Sequence, residues 1–274
     1  MRFKIIAGPD PFAGISNSSK EKAINYANNL SSKKKIDLFL KSLFKAGVRR
    51  VMFYFNSDLV RSLNKNFEIY PIVPNASEYI RDINKYGMVK TGIRKVMSLG
   101  IINLIKLGFW APKNALKVLK RNFRTMLALL IKIELMQMKK LRVNVVFLHY
   151  QITDMALANE NAELISFFVD LIRKEYKYEP GLMTQNFSEL TKFIQNNGLK
   201  VRAIATPYNK KGFMMKPSKK ECEQVNKFRF NVYALEPLAG ETIKQDEAKK
   251  YLSEQKIDKL VLNLGTREDL RKYL

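Results

Sequence analysis

Three side chains of this sequence are suited to proton transfer: the single histidine, His149, and the acids Asp154 and Glu236. His149 and Glu236 come at the ends of short apolar runs, and Asp154 follows a few residues after the first of these runs. Histidine titrates near neutrality and carboxylates can act as bases, so the three could divide the roles of acid and base. We predict His149 as the general acid, with Glu236 or Asp154 as the base. A structural histidine bonded to a backbone carbonyl is the alternative.

Other polar side chains also follow apolar runs and are predicted to contact a substrate. They are Asp10, Asn56, Asn75, Tyr208 and Asn209. Glu236 could instead ligate a metal or a substrate hydroxyl, or pair with Lys210 or Arg202. Asp10 and Asp154 could join it around Mg²⁺, but scattered acids with one histidine are a weak metal signal. The predicted site therefore contains no metal.

The segment that begins with Gly265 suggests a place for a phosphate. Gly265 and Thr266 open a predicted helix beside Arg267, and backbone N–H groups at a helix start bind anions. A Gly-Thr helix cap without any ligand would look the same. The predicted contacts to an anion or cofactor are these three residues together with Gln185, Asn186 and Lys210.

The elements that must position these residues alternate along the chain. The predicted strands are Phe3–Ala7, Val51–Phe55, Glu68–Val73, Val143–His149, Gly181–Thr184, Val201–Thr206, Asn231–Leu235 and Lys259–Leu264. Helical patterns separate most of them, so the pattern predicts a parallel sheet closed as a (β/α)8 TIM barrel, a single domain over 1–274. An open doubly wound sheet is the alternative, but GPDPFAG after the first strand lacks its glycine fingerprint. Active sites of such barrels lie at the carboxyl ends of the strands.

The predicted helices fill the intervals between the strands. Ranges with helical periodicity are Lys34–Ala46, Leu59–Asn64, Leu157–Tyr176, Phe187–Asn196, Ser218–Phe228, Gln245–Glu254 and Arg267–Leu274. Gly47 and Gly198 are predicted to end two of them, as glycine does at many helix ends. A longer helical insert is predicted over about 77–141, between the third and fourth strands.

The insert carries much of a strongly basic charge. The 274 residues contain 49 Lys+Arg and 25 Asp+Glu, a net charge of +24. Lys113, Lys117, Lys120 and Arg124 share one stripe of an amphipathic helix, which predicts binding to an anionic membrane surface or nucleic acid. A solvated face, a lid and an oligomer interface are the alternatives for this insert.

Composition excludes several classes of protein. With 46% hydrophobic residues the chain is not disordered as a whole, and with one cysteine, Cys222, it forms no internal disulfide. One histidine and one cysteine also exclude the usual zinc clusters. No apolar run approaches the roughly 18 residues that span a bilayer, so a cytoplasmic, soluble protein is expected.

Several segments resemble aldo-keto reductases over about residues 143–274. These are VNVVFLHYQITD, GLMTQNFSELTKFI, NVYALEPLAGE and KLVLNLGTREDL. The resemblance implies a barrel oxidoreductase, with His149 as a catalytic residue and NADPH held at the turn after the eighth strand. RRVMFYFNSD and EIYPIVP lack the acid, tyrosine and lysine of reductases. PDPFAG and PYNKKGFMMKPSKKECE, with the insert, are most similar to an uncharacterised aldo-keto-reductase-like group.

Together these observations predict a TIM-barrel enzyme of unassigned reaction. It would bind a small anionic or phosphorylated ligand at the barrel mouth, with His149 as general acid. The alternative is a barrel without catalytic activity, whose basic insert binds a membrane surface, nucleic acid or a second subunit.

Overall fold

Eight parallel strands close into a barrel in the computed structural model, which describes residues 3–86, 123–226 and 230–273. The strands are β1 (Lys4–Ala7), β2 (Arg50–Tyr54), β3 (Glu68–Val73), β4 (Arg142–Val143 and Val145–Leu148), β5 (Glu179–Met183), β6 (Ala203–Pro207), β7 (Asn231–Leu235) and β8 (Lys259–Leu262). Both segments of β4 pair with β3, β2 pairs with β3, and β8 pairs with β1. The predicted TIM barrel is confirmed.

Apolar side chains fill the interior of the barrel. Those that point inward include Ile6, Met52, Tyr70, Ile72, Val145, Phe147, Met183, Tyr233 and Val261, while the opposite faces of the strands pack under the helices. Phe147 meets Tyr233 edge to face at 5.0 Å. A Cβ on Gly181 would lie 2.6 Å from the Phe147 ring, so glycine makes room for this large side chain. The packed interior leaves the ends of the barrel as the place for a ligand.

Eleven α-helices surround the barrel in the described residues. They are α1 (Lys20–Asn29), α2 (Lys33–Lys45), α3 (Ser57–Ser62), α4 (Ala76–Tyr86), α5 (Phe123–Gln137), α6 (Tyr150–Ala158), α7 (Ala162–Asp170), α8 (Phe187–Asn196), α9 (Lys219–Val225), α10 (Gln245–Glu254) and α11 (Arg267–Tyr273). A π-helical segment, Leu171–Tyr176, continues α7. None of these helices combines the length and apolar character needed to cross a bilayer.

Two helical regions differ from the sequence prediction. Helix α1 was not predicted, because Tyr26 is its one buried residue and its apolar pattern is weak. The predicted helix Leu157–Tyr176 is divided, and α6 begins directly after β4. His149 Nδ1 accepts the backbone N–H of Gln151 at 3.2 Å and so caps α6 without any intervening loop.

The predicted insert is helical at both of its described ends, α4 and α5. Glu134 of α5 is buried, and its Oε1 accepts the backbone N–H of Asn75 at 3.0 Å, which ties α5 to the end of β3. Lys113, Lys117 and Lys120 lie outside the described residues. Arg124, the fourth member of the predicted basic stripe, forms an ion pair with Glu163 of α7.

Four of the described helices end in the same way, with a left-handed residue after the last turn. This position is occupied by Gly47 (φ 85°), Glu160 (φ 49°), Gly198 (φ 60°) and Lys256 (φ 58°). In each case the N–H of this residue and the N–H of the next one bind carbonyls of the last helical turn, at 2.8–3.2 Å. Glycine adopts this backbone freely, whereas the lysine and the glutamate pay a steric penalty.

Replacing Lys256 with glycine should therefore raise the free energy of unfolding by about 0.5–1 kcal/mol. Lys256 is exposed, so no packing is lost with its side chain. Urea denaturation measures the change. Lys250→Gly, inside the same helix, is the control and should lower stability by about 1 kcal/mol. Equal losses in both variants would contradict the prediction.

Candidate active site

A cavity of about 130 Å³ lies at the carboxyl ends of the strands and is called here the mouth cavity. Loops after β1, β4, β5, β6, β7 and β8 contribute to its wall. The polar residues lining it are Asp10, Asn17, Tyr54, Tyr150, Thr184, Gln185, Glu236 and Asn263. No lysine, arginine or histidine is among the described residues that line it.

Two carboxylates in the mouth cavity are joined by two side-chain amides. Asn263 Nδ2 donates to Asp10 Oδ2 at 3.2 Å and to Glu236 Oε1 at 2.8 Å. Asn17 Nδ2 donates to the same two oxygens, at 3.3 and 3.0 Å. The four hydrogen bonds connect the loop after β1 with the ends of β7 and β8. We call these four residues the carboxylate–amide ring.

The ring gives one of its acids an unusual proton affinity. The pKa of Asp10 is raised from 3.8 to about 7, because burial and, to a lesser degree, the neighbouring Glu236 charge raise it more than the Asn263 hydrogen bond lowers it. A carboxyl group with this pKa exchanges its proton near neutral pH, which suits general acid–base catalysis. Perturbed groups of this kind are concentrated at functional sites.

The backbone at Glu236 is also held in an uncommon conformation. Glu236 (φ 49°) and Met214 (φ 58°), which both line the mouth cavity, lie in the left-handed region. That conformation costs an L-residue about 1–2 kcal/mol. Such strain persists where the surrounding structure fixes a side chain in place, and it is often found at functional sites.

Gly8, at the end of β1, makes room for the carboxylate–amide ring. A Cβ at this position would lie 2.5 Å from Asn263 Oδ1 and 3.1 Å from the Leu262 carbonyl oxygen. Gly8→Ala should therefore displace the Asn263 amide and lower the free energy of unfolding by about 1–3 kcal/mol. It should also raise the pKa of Asp10 above its present value, because a hydrogen bond that lowers this pKa is lost.

Urea denaturation and carboxyl NMR titration would measure the two effects of Gly8→Ala. Asn263→Ala provides the matched background, since it removes the amide that the new methyl group would strike. In that background Gly8→Ala should cost much less. An equal loss of free energy of unfolding in the two backgrounds would show that contact with the Asn263 amide is not the reason why alanine is unfavourable at position 8.

Tyr54 and Tyr150 separate His149 from the mouth cavity. The His149 ring stacks on Tyr150 at 4.7 Å and lies 5.2 Å from Tyr54. His149 is only 1% exposed, and burial lowers its pKa to about 4, so the imidazole is neutral near pH 7. Its Nδ1 accepts a hydrogen bond, which leaves the proton on Nε2. His149 caps α6 and supports both tyrosines, and its role as general acid stays a prediction.

Asp154, the second predicted base, holds the loop after β5. It accepts the Thr184 hydroxyl and, at 3.1 Å, the backbone N–H of Gln185. Asn186 in turn donates its N–H to Thr184 Oγ1 at 2.9 Å. Burial raises the pKa of Asp154. Of these residues, Thr184 and Gln185 reach the mouth cavity, and Asp154 is placed to position them.

Asn56 and Asn75 line a second groove, of about 560 Å³, beside the mouth cavity. The two spaces share Ile15, Tyr54 and Tyr150 as a common wall. Both asparagines use their side chains to cap helices: Asn56 Oδ1 accepts the N–H of Leu59 at 3.0 Å, and Asn75 Oδ1 that of Glu78 at 3.2 Å.

Tyr208, Asn209 and Lys210 follow β6 but do not line the mouth cavity. Tyr208 is fully buried among the outer helices, and its hydroxyl donates to Gln255 at 3.1 Å. Asn209, also fully buried, exchanges hydrogen bonds of 2.9 Å with the backbone of Phe213. Lys210 pairs with Glu247 at 2.7 Å on the surface. The contacts of these three residues stabilise the fold.

The predicted phosphate turn already holds an internal anion. The N–H groups of Gly265 and Thr266 both donate to Asp269 Oδ2 at 2.9 Å, and Lys22 Nζ lies 2.9 Å from Asp269 Oδ1. The pyrophosphate of a nicotinamide dinucleotide does not fit this turn, because the two donors already bind a carboxylate. Arg267 is exposed and lies in a groove on the outer wall of the barrel.

Five polar residues of the mouth cavity are not among the predicted site residues: Asn17, Tyr54, Tyr150, Thr184 and Asn263. Tyr54 and Asn263 fell inside the predicted strands Val51–Phe55 and Lys259–Leu264, but the strands end earlier, at Tyr54 and Leu262. A sequence prediction that located the strand ends to within one residue would have identified both as residues of the mouth cavity. Asn17 lies in a polar loop, and nothing in its sequence context distinguishes it.

Comparison with known proteins finds no family model, curated protein or solved structure that matches this chain. The resemblance to aldo-keto reductases therefore stays a prediction from the sequence. No group of three or more histidine, cysteine, aspartate or glutamate side chains in the described residues could hold a metal ion. The chain is a (β/α)8 barrel with a candidate acid–base site at its mouth.

Proposed function

We propose that this barrel is an enzyme that performs general acid–base chemistry on a small polar ligand in the mouth cavity. Asp10 and Glu236 exchange protons with the ligand, and Tyr54 and Tyr150 contact it. The carboxylate–amide ring carries the proposal, because it keeps two acids together in a cavity that no lysine or arginine of the described residues lines. Near pH 7 Asp10 can take up or release a proton next to the Glu236 carboxyl group.

The lining of the mouth cavity favours a neutral or positively charged ligand that bears hydroxyl or amino groups. Carboxylates and amide oxygens accept hydrogen bonds from such groups, and tyrosine rings can pack against a cation. Burial and the Asp10 charge raise the pKa of Tyr54, so its hydroxyl stays protonated and can donate. An anionic or phosphorylated ligand, the prediction from the sequence, would meet repulsion from both carboxylates.

Three other predictions from the sequence have weaker support. To act as an imidazolium acid, His149 would need a second proton near pH 7, although the pKa of its buried imidazole is only about 4. Binding through the basic insert depends on Lys113, Lys117 and Lys120, which lie outside the described residues, while Arg124 is already paired. Oxidoreductase activity with NADPH has no fitting site at the turn after β8.

The test is turnover of unknown substrates by purified protein. The protein is incubated with fractionated neutral and cationic small molecules from cell extract, and mass spectrometry detects any compound consumed. With the active fraction identified, Glu236→Gln should lower the rate about 10²–10⁴-fold, the usual contribution of general acid–base catalysis. Asp10→Asn should remove the ionisation near pH 7 from the pH–rate profile.

Two control variants make the result specific. Glu254→Gln removes an exposed carboxylate on α10 and should keep the full rate. His149→Gln should reduce the rate much less than Glu236→Gln, because His149 supports the tyrosines from behind. No consumption in any fraction, or full turnover by Glu236→Gln, would overturn the proposal.

A further inference from the structure

A groove of about 550 Å³ on the outer wall of the barrel is lined by more positive than negative charge. Helix α2, the residues that follow α3 and the first residue of α11 form its walls, and it shares no lining residue with the mouth cavity. Its cations are Lys41, Lys45 and Arg267. We call it the outer basic groove.

The three cations of this groove are only weakly compensated in the described part of the chain, where the Asp37 carboxylate attracts Lys41 without forming an ion pair with it. None of them makes a hydrogen bond or ion pair there. Asp37 is the one acid among the described lining residues, and its carboxylate binds Lys33 Nζ at 2.8 Å. Like charges that line one groove repel one another, so an anionic ligand would relieve an unfavourable arrangement.

The charge continues along one face of α2. One side of the helix carries exposed residues spaced by four, three and four positions, three of them lysines: Lys34, Leu38, Lys41 and Lys45. The stripe extends over about 16 Å of helix. A ligand with several anionic groups along its length would match it better than a single anion.

We infer that the outer basic groove binds single-stranded nucleic acid through its phosphate backbone. A net charge of +24 with positive charge along a groove is the electrostatic pattern of such binding. The groove also has an aromatic side, since Phe44 is 37% exposed and the Arg49 guanidinium lies 3.4 Å from its ring centre. A concave groove suits a flexible strand better than it suits the flat surface of a membrane.

The test measures binding of a fluorescein-labelled oligothymidylate by anisotropy over a salt titration. The groove variant carries Lys41→Gln, Lys45→Gln and Arg267→Gln. The matched control carries Lys200→Gln, Lys220→Gln and Lys250→Gln, which removes the same charge from exposed positions elsewhere. We expect the groove variant to lose about tenfold or more in affinity, and its slope of log K against log salt to fall by about 2. The control should change little.

Each other outcome would overturn the inference. Failure of the wild-type protein to bind the oligonucleotide would do so, as would equal losses in the two triple variants, which would show attraction to net charge alone. Binding to phosphatidylserine vesicles that only the groove variant loses would assign the groove to membranes instead. Circular dichroism melting of both variants checks that the barrel remains folded.

Discussion

Asp10→Asn should stabilise the protein at about pH 8 by on the order of 3–4 kcal/mol, and should have little effect near pH 4. The pKa of Asp10 is 3.8 as a free group and about 7 in the folded chain. Between these values the folded state binds a proton that the unfolded state does not. The protein's stability therefore falls as pH rises from about 4 to 7, and the neutral amide removes this loss.

Urea denaturation at several pH values would measure this effect of Asp10→Asn. The free energy of unfolding of the wild-type protein should decline toward neutral pH relative to that of the variant, and the difference should level off above about pH 7. Glu254→Gln, which neutralises an exposed carboxylate, should show no comparable pH dependence. A gain of equal size at every pH would contradict the assigned cause.

Asp269→Ala should lower the free energy of unfolding by about 3–4 kcal/mol. Asp269 is 3% exposed, and its carboxylate accepts two backbone N–H groups and pairs with Lys22. Alanine would leave these two donors buried without a partner. Lys22 would keep its contact with Glu241, which limits the loss.

Thermal and urea unfolding of a small variant series would measure this effect. Asp269→Asn keeps an acceptor oxygen and should lose about half as much as alanine. Adding Lys22→Met to Asp269→Ala should increase the loss, because Glu241 then also loses its contact with Lys22. A loss below about 1 kcal/mol for Asp269→Ala would contradict the structural role of this carboxylate.

The barrel could be predicted from the sequence because each buried parallel strand is a continuous apolar run. Helices α1 and α6 escaped prediction for local reasons: one has a single buried residue, and the other begins without a loop at His149. Asp10 and Glu236 were predicted as site residues from their places at strand ends. Their meeting could not be predicted, since Asn17 and Asn263 join them from opposite ends of the chain.

The turn at Gly265 shows a different limit of sequence reasoning. A glycine and a threonine at the start of a helix offer the same two N–H groups to a phosphate or to a carboxylate of the chain itself. Only the fold decides which anion is present, and here it is Asp269. The same glycine and threonine therefore predicted a phosphate-binding site from the sequence, whereas in the structure their N–H groups bind a carboxylate of the chain.

The seam between β1 and β8 makes the candidate site depend on the pairing of the first and last strands of the barrel. Lys4 to Ala7 pair with Lys259 to Leu262, and Gly8 and Asn263 follow at its carboxyl end. A partly assembled barrel, lacking this pairing, would keep Asp10 and Glu236 apart and have no acid–base pair. Enzymatic activity would therefore require the closed barrel. A circular permutant whose chain is opened at another loop would still pair β1 with β8 and would remain active.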